Sequence, residues 1–401
     1  MPVSATPGAP SAKFSIASLW NDSRYRSVIV QFLALVLLFS VVGFLLNNAA
    51  QNLAKQDKTF GFDFLSLTAS YDINQRLIPY TSQDTHARAA LVGILNTLLV
   101  AVVGCFLATV LGFALGIARL SSNWLINRVA YCYIEFTRNV PVLLHILFWH
   151  GIIINVMPHP RELLRSGAEG MWFLTNRGFI FPKPIFQELF LVVVLTFVVG
   201  IVATLLYRSW AAKKQAVTGR LSPVLWVGLG LVVGLPVLAF FVMGMPVEFD
   251  YPRPSRFNFR GGMSISPEFF ALTFALSIYT AAFIGEIVRS GIQAIPKGQW
   301  EAAGALGLRR GRTLRMVIIP QALRIIVPPL TSMYLNITKN SSLAIAIGYM
   351  DVVATLGGIT LMQTGKEMET NILLMGFYLV LSLMISGAMN LYNKATALKE
   401  R

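Results

Sequence analysis

An all-α polytopic membrane protein with about eight transmembrane helices is what this sequence predicts, and three observations predict it. Of its 401 residues, 55% are hydrophobic and only 13% are charged, a balance rare in soluble domains. Eight stretches are apolar over the roughly 20 residues of helix that cross about 30 Å of hydrocarbon. The lysines and arginines favour alternate sides of those stretches.

The stretches are Val28 to Leu46, Ala90 to Ala118, Asn139 to Met157, Phe190 to Tyr207, Pro223 to Met243, Phe269 to Gly285, Ile326 to about Met350, and Asn371 to Tyr392. The first follows a 27-residue Ser/Pro/Ala-rich tail and is longer than the apolar core of a typical signal peptide, so it reads as an uncleaved anchor. Lys339 interrupts the seventh. Cys105 and Cys132 offer no disulfide framework and read as small apolar packers.

A formal net charge of +15 could suggest nucleic acid as a partner, but the basic residues are spread through the loops and form no single patch. Topology accounts for them better. With the N-terminus in the cytoplasm, the segments 1–27, 119–137, 208–222, 289–325 and 393–401 face inward and carry 19 of the 33 Lys and Arg residues, against 12 in the outward segments. Most acids, among them Asp57, Asp63, Glu162, Glu248 and Glu367, fall outside. Positive-inside bias therefore places both termini in the cytoplasm.

In the second stretch Gly104, Ala108, Gly112 and Gly116 recur every four residues, which aligns them on one helix face. Small residues so placed let a neighbouring helix approach closely, and the stripe reads as a packing seam without chemistry of its own.

The inward segment 296–320 is the most informative. Pro296 suits a first helical turn and Gly307 a left-handed C-terminal cap, so a short helix is expected between them. A second helical piece, roughly Gly311 to Ile319, carries Leu314, Val317 and Ile318 on one side, with Arg309, Arg310, Arg312 and Arg315 around its start and Pro320 kinking the chain into the next span. The pair forms a knob on which Ala302 and Ala303 would let a partner surface close, while Glu301 meets that partner's donors.

Glu301, Ala302, Ala303, Gly307 and Pro320 resemble, in type and spacing, the EAA loop of ABC importer permeases, the segment that docks into the ATPase subunit; Val317 and Ile319 depart mildly from its usual Ile and Leu. "EFTRNVPVLLHILFW" (135–149), "GEIVRSGIQAIPKGQWEAAGALGL" (285–308) and "ITKNSSLAIAIG" (337–348) narrow the resemblance to permeases for polar amino acids, over about 90–157 and 267–395. The long chain with its middle insertion is similar to general L-amino acid permeases of the Aap/Bzt type. The resemblance implies the type I ABC importer permease fold in the inner membrane. It also implies an ABC ATPase dimer, a homologous non-identical second permease, a periplasmic amino-acid-binding protein and an L-amino acid as substrate. The expected organisation is a tail (1–27), a first span and outer loop (28–89), permease core (90–157), an insertion with two extra spans (158–266) and permease core with the coupling loop (267–395).

Such a permease needs an energy source that this chain lacks. The phosphate-cradling pattern G-x-x-x-x-G-K-[ST] is absent, since "TLMQTGKE" has Thr360 at the first glycine position and Glu367 at the hydroxyl position. No cofactor is expected in this chain; ATP and Mg belong to the separate ATPase, and closure of that ATPase would swing the helices through the knob.

Candidate substrate-path residues are Lys339, Arg138 and Asn139. An intramembrane lysine faces a cavity or a partner, so Lys339 either helps hold a substrate carboxylate or satisfies carbonyls freed near Pro328 and Pro329. Arg138 and Asn139 open the third stretch, where an arginine can equally snorkel. His145, His150 and His159 share no helix face and have no acid or cysteine at ligand spacing, so no metal is expected. Two other classes compete: an ion-coupled secondary transporter for small polar solutes, disfavoured because no clear repeat is visible, and a membrane enzyme, for which no catalytic set can be assembled.

Overall fold

The computed structural model describes residues 23–55, 60–165, 170–255 and 259–396, and the chain divides into two compact units, Met1–Phe64 and Leu65–Arg401. Among the described residues, eight helices are long and apolar enough to cross a membrane.

In the first unit, helix α1 (Ser23–Lys55) leaves Phe32, Leu37 and Phe39 well exposed, as an anchor in lipid would.

The second unit is built on α2 (His86–Arg119) and α8 (Pro267–Gln293). They run parallel: Gly104 meets Ser277, Gly112 meets Ala281 and Ile284, and Gly116 meets Gly285 and Val288. The predicted small-residue seam is this contact, with Gly104, Ala108, Gly112 and Gly116 all buried. Helix α11 (Ile319–Asn340) runs antiparallel to both, since Ile326 packs on Gly291 and Ile337 on Gly104. Helix α4 (Val142–Val156) covers another side of α8, with His145 beside Tyr279 and Trp149 edge-on to Phe274.

One end of this bundle therefore gathers the starts of α2 and α8; the other gathers their ends and the segment 294–318. At the first end α2 side chains bond a crossing loop. Asn96 Nδ2 donates to the carbonyls of Gln75 (2.7 Å) and Met350 (2.9 Å), and Thr97 Oγ1 accepts from Val352 N (3.1 Å).

Within 158–266 the chain forms α5 (Pro160–Arg165), the hairpin β1 (Phe173–Thr175) and β2 (Gly178–Phe181), β3 (Lys183–Phe186), and the helices α6 (Phe190–Thr218) and α7 (Val224–Val242). It returns through β4 (Val247–Asp250), β5 (Arg253–Pro254), β6 (Phe259–Arg260) and β7 (Met263–Ile265). These short ladders were not predicted. β2 pairs with β7, and β3 with β4, across the entire α6–α7 excursion, so no local periodicity announces them. Gly200 seals α6 against α7, because a Cβ there would lie 2.1 Å from the Leu231 carbonyl oxygen.

Two spans and one inward loop depart most from the sequence reading. α6 continues to Thr218, past the expected Tyr207, because Arg208 and the lysines end an apolar run without ending a helix. The inward segment 119–137 is largely a helix of its own, α3 (Trp124–Asn139), capped by the Asn123 side chain on Leu125 N and Ile126 N. The seventh span starts earlier, for helical structure is continuous from Arg310 to Ile347.

Candidate coupling and translocation site

The knob is rigid by construction. Helix α9 (Lys297–Ala305) ends with Gly307 at φ 71°, where Leu308 N donates to Ala303 O (3.1 Å) and Gly307 N to Gly304 O (2.9 Å). This is the doubly bonded left-handed cap that glycine adopts at no steric cost. Arg309 then caps α10 (Arg310–Thr313), and Arg312 N and Thr313 N both donate to its carbonyl.

A heel fixes the knob to the bundle. Ile295, Trp300, Ile318, Ala322 and Ile326 share one buried apolar cluster, and Gln321 Nε2 donates to Gln299 Oε1 at 3.3 Å. Outward from it stand Glu301, Ala302, Leu306 and the arginines 309, 310 and 312, all exposed.

Two expectations about this segment need correction. Ala303 is 4% exposed and packs inward, so of the two alanines only Ala302 is open to a partner surface. Its carbonyl accepts the Leu308 cap bond, which fixes that turn face-in. Leu314 is exposed while Ile318 is fully buried, because Leu314–Ile318 forms a π turn whose wider pitch rotates Leu314 off the apolar side. Pro320 follows directly on that π turn inside the continuous helical run, and the π turn is where the ladder adjusts to the N–H that Pro320 lacks.

Lys339 is exposed, and among the described residues its ammonium has no hydrogen-bond or ion-pair partner. Its near neighbour Ile337 packs on Gly104, the middle of the 34-residue α2, so the lysine lies at mid-depth of the bundle. Arg138 sits over the Phe283 ring (5.3 Å), level with Gly112, about two helical turns or roughly 12 Å further toward the knob. The structure does not bring Lys339 together with Arg138 and Asn139. Nor do the latter open a span: they close α3, because Pro141 holds Val140 in extended backbone (φ −102°, ψ 130°) and restarts the helix beyond it. Asn139 turns back onto the Glu135 carbonyl at 2.7 Å.

Near Arg138, Glu286 and Arg289 form a fork on α8, with Arg289 Nε 3.0 Å from both carboxylate oxygens and Nη1 bonded to Gln293. Arg119 Nη1 donates to Asn127 Oδ1 (2.8 Å) and locks α2 to α3.

Sequence reasoning missed Asp351. It is 0% exposed, its Oδ1 accepts from Ala354 N (2.8 Å), and its Oδ2 has no partner among the described residues. The signal was an acid three residues past the left-handed Gly348, at the start of the next helical turn. Burial pushes its carboxyl up to about 7, only partly opposed by the backbone bonds. The raised value makes the folded state hold a proton that the unfolded chain gives up near pH 4, so stability is full at low pH and is lost as pH rises toward 7. Asp351→Asn keeps the cap and removes the ionisation. Its melting temperature in detergent should exceed the native value at pH 8, with the gap closing at pH 5; an equal gap at both would contradict this account.

A membrane-crossing helical bundle with an uncovered mid-depth lysine and a rigid polar knob at one end defines a membrane transport subunit. The family model described as "Binding-protein-dependent transport system inner membrane component" matches residues 210–397. The chain is 50% identical over 388 residues to the general L-amino acid transport system permease protein AapQ of Rhizobium johnstonii, covering 97% of this chain and 96% of that one. It is 47% identical over 376 residues to the putative amino-acid ABC transporter permease protein YhdX of Escherichia coli, covering 94% and 95%. To the glutamate/glutamine/aspartate/asparagine transport system permease protein BztB of Rhodobacter capsulatus it is 46% identical over 421 residues, covering 98% of each. The chain belongs to the amino-acid ABC transporter permeases; it is a transport subunit and not an enzyme.

Proposed function

We propose that this chain is the permease subunit of an ATP-driven importer of L-amino acids of broad specificity, working by alternating access. The knob carries the proposal. Glu301, Ala302, Leu306 and three arginines project from a heel that is continuous with the α8–α11 packing. A push on that surface is therefore transmitted as a rigid-body movement. An ABC ATPase dimer supplies the push together with its ATP and Mg. The positive-inside bias supports a cytoplasmic knob and cytoplasmic termini in the inner membrane.

The names of the relatives support the substrate class, and the unburied faces of α6 and α11 leave room for lipid and for a homologous, non-identical second permease. A periplasmic amino-acid-binding protein delivers the substrate. Lys339 lines the path, because an unpaired ammonium at mid-depth costs roughly 2.5–3.5 kcal/mol or more in hydrocarbon and a water-filled path spares it that cost.

Cells lacking this gene should lose uptake of a panel of radiolabelled L-amino acids, and the native chain should restore it; unchanged uptake in the deletion strain would contradict the substrate class. Complementation with Lys339→Met should leave uptake at least tenfold lower at normal membrane levels, with Lys339→Arg recovering part. Full activity and an unchanged substrate preference in Lys339→Met would remove the lysine from the path.

A further inference from the structure

The inserted region 158–266 has no role in the coupling geometry, yet its first hairpin closes a polar cavity over the start of α8. β1 and β2 are joined by two residues only, Asn176 and Arg177, because Thr175 pairs with Gly178. That tip is tightly held. Thr175 is fully buried, accepts from Arg177 N (3.2 Å) and donates to Gly178 O (2.9 Å), while Asn176 N donates to Pro158 O (3.1 Å) at the end of α4. Gly178 (φ 125°) lets the sheet sit on the entry to α8, since a Cβ there would lie 2.3 Å from Ile265 O.

The opposite wall comes from the segment before α2. The Gln75 carbonyl accepts from Asn96, and its Oε1 accepts from Ser266 N (3.2 Å), the residue that caps α8. The cavity between has a volume of about 540 Å³ and takes Asn74, Gln75, Asn176, Arg177, Ser264 and Glu268 into its lining. An adjoining cavity of about 420 Å³ shares Asn74, Gln75 and Ser264 with it.

The charges are what give this space a chemistry. Arg177 and Glu268 line the same cavity, yet among the described residues neither forms an ion pair, with the other or with anything else. An unpaired guanidinium and an unpaired carboxylate on the walls of one cavity, at the positive end of a 27-residue helix, match a carboxylate and an ammonium on one small molecule. By contrast, the cavity of about 360 Å³ between α3, α4 and α8 is walled mainly by apolar side chains such as Phe136, Leu144, Phe148 and Ile278 and offers no such pair.

We infer that this cavity is a receiving site for the zwitterionic head of a free α-amino acid, with Arg177 binding the carboxylate and Glu268 the ammonium. The adjoining space takes the side chain, so the site reads the part common to all amino acids. The inference rests on the amino-acid reading above and gives the insertion a purpose, which is to build a binding site at the end of the bundle opposite the knob.

The complete transporter, co-expressed with its ATPase and second permease, would be placed in lipid nanodiscs without the binding protein. Equilibrium dialysis would compare radiolabelled L-alanine with propionate and ethylamine, which each keep one of its two charges. L-alanine should be retained, and both analogues should bind at least tenfold more weakly. Arg177→Ala and Glu268→Gln should each weaken L-alanine at least tenfold, Arg177→Lys should recover part, and Gly387→Ala, at a position with nothing within 4 Å, should leave retention unchanged. Both substituted side chains reach the surface, and matched melting temperatures would verify folding. No retention by the native complex, or native-level retention by Arg177→Ala and Glu268→Gln, would overturn the site. So would variants that lose affinity for the binding protein while retaining L-alanine normally, which would make this a protein-docking face. Native rescue of amino-acid uptake alongside absent retention would sink only this site; absent rescue would sink the amino-acid reading itself.

Discussion

Valine at both Gly112 and Gly116 should remove nearly all folded protein from the membrane fraction. A Cβ at Gly112 would lie 2.5 Å from Ile284 Cβ, and one at Gly116 would lie 2.6 Å from Val288 Cβ and 2.8 Å from the Gly285 carbonyl. These are parts of α8 that cannot retreat, since α11 packs on it at Gly291 and α4 at Phe274. Overpacking costs about 1–3 kcal/mol per site where the surroundings can adjust, and here both face fixed elements, so the pair approaches the about 5–15 kcal/mol that holds a typical fold. Immunoblots of membranes would measure it, with Gly387→Ala as control because nothing lies within 4 Å of that position. Normal accumulation of the double variant would mean that the α2–α8 seam is not the structural axis.

The second large effect concerns coupling. Glu301→Lys should bring amino-acid uptake to a few per cent of native or less while leaving the protein level unchanged, because Glu301 is exposed and among the described residues its carboxylate has no partner in this chain. Gly307 separates docking from folding more finely. Its φ of 71° costs a β-branched residue about 1–2 kcal/mol, and the space around it is open, so strain acts without a clash. Gly307→Val should release the cap bonds of Leu308 and Gly307, tilt α9 and lose the ATPase on purification. Gly307→Asn, which tolerates the left-handed region, should keep most of both. Equal behaviour of Val and Asn would show that the cap does not position the knob.

How much of this was legible beforehand depended on the range of the signal. Seven of the eight spans follow from uninterrupted apolar runs and the remaining one, seventh along the chain, from a run that only Lys339 breaks, while the α2 seam follows from a period of four, all readable within one helix. The knob was legible because Pro296 and Gly307 punctuate it locally. The inward turn of Ala303 and the outward turn of Leu314 were not, since one depends on a cap bond and the other on a π turn that sequence periodicity treats as ordinary helix. α3 escaped notice because it is too polar to read as a span and its buried face is narrow, reaching only Ala130, Ile134 and Thr137. The β2–β7 and β3–β4 ladders and the cavity beside them arise from partners far along the chain, for which a single sequence has no local mark.

The central claim is that a separate ATPase drives this subunit. It is tested most directly by uptake of radiolabelled L-amino acids into proteoliposomes containing the purified complex and its binding protein, with ATP on the knob side. Accumulation should require ATP, persist when a protonophore and a sodium ionophore collapse the gradients, and vanish with Glu301→Lys. Accumulation driven by an ion gradient without the ATPase subunit would contradict the account and make the chain an ion-coupled carrier.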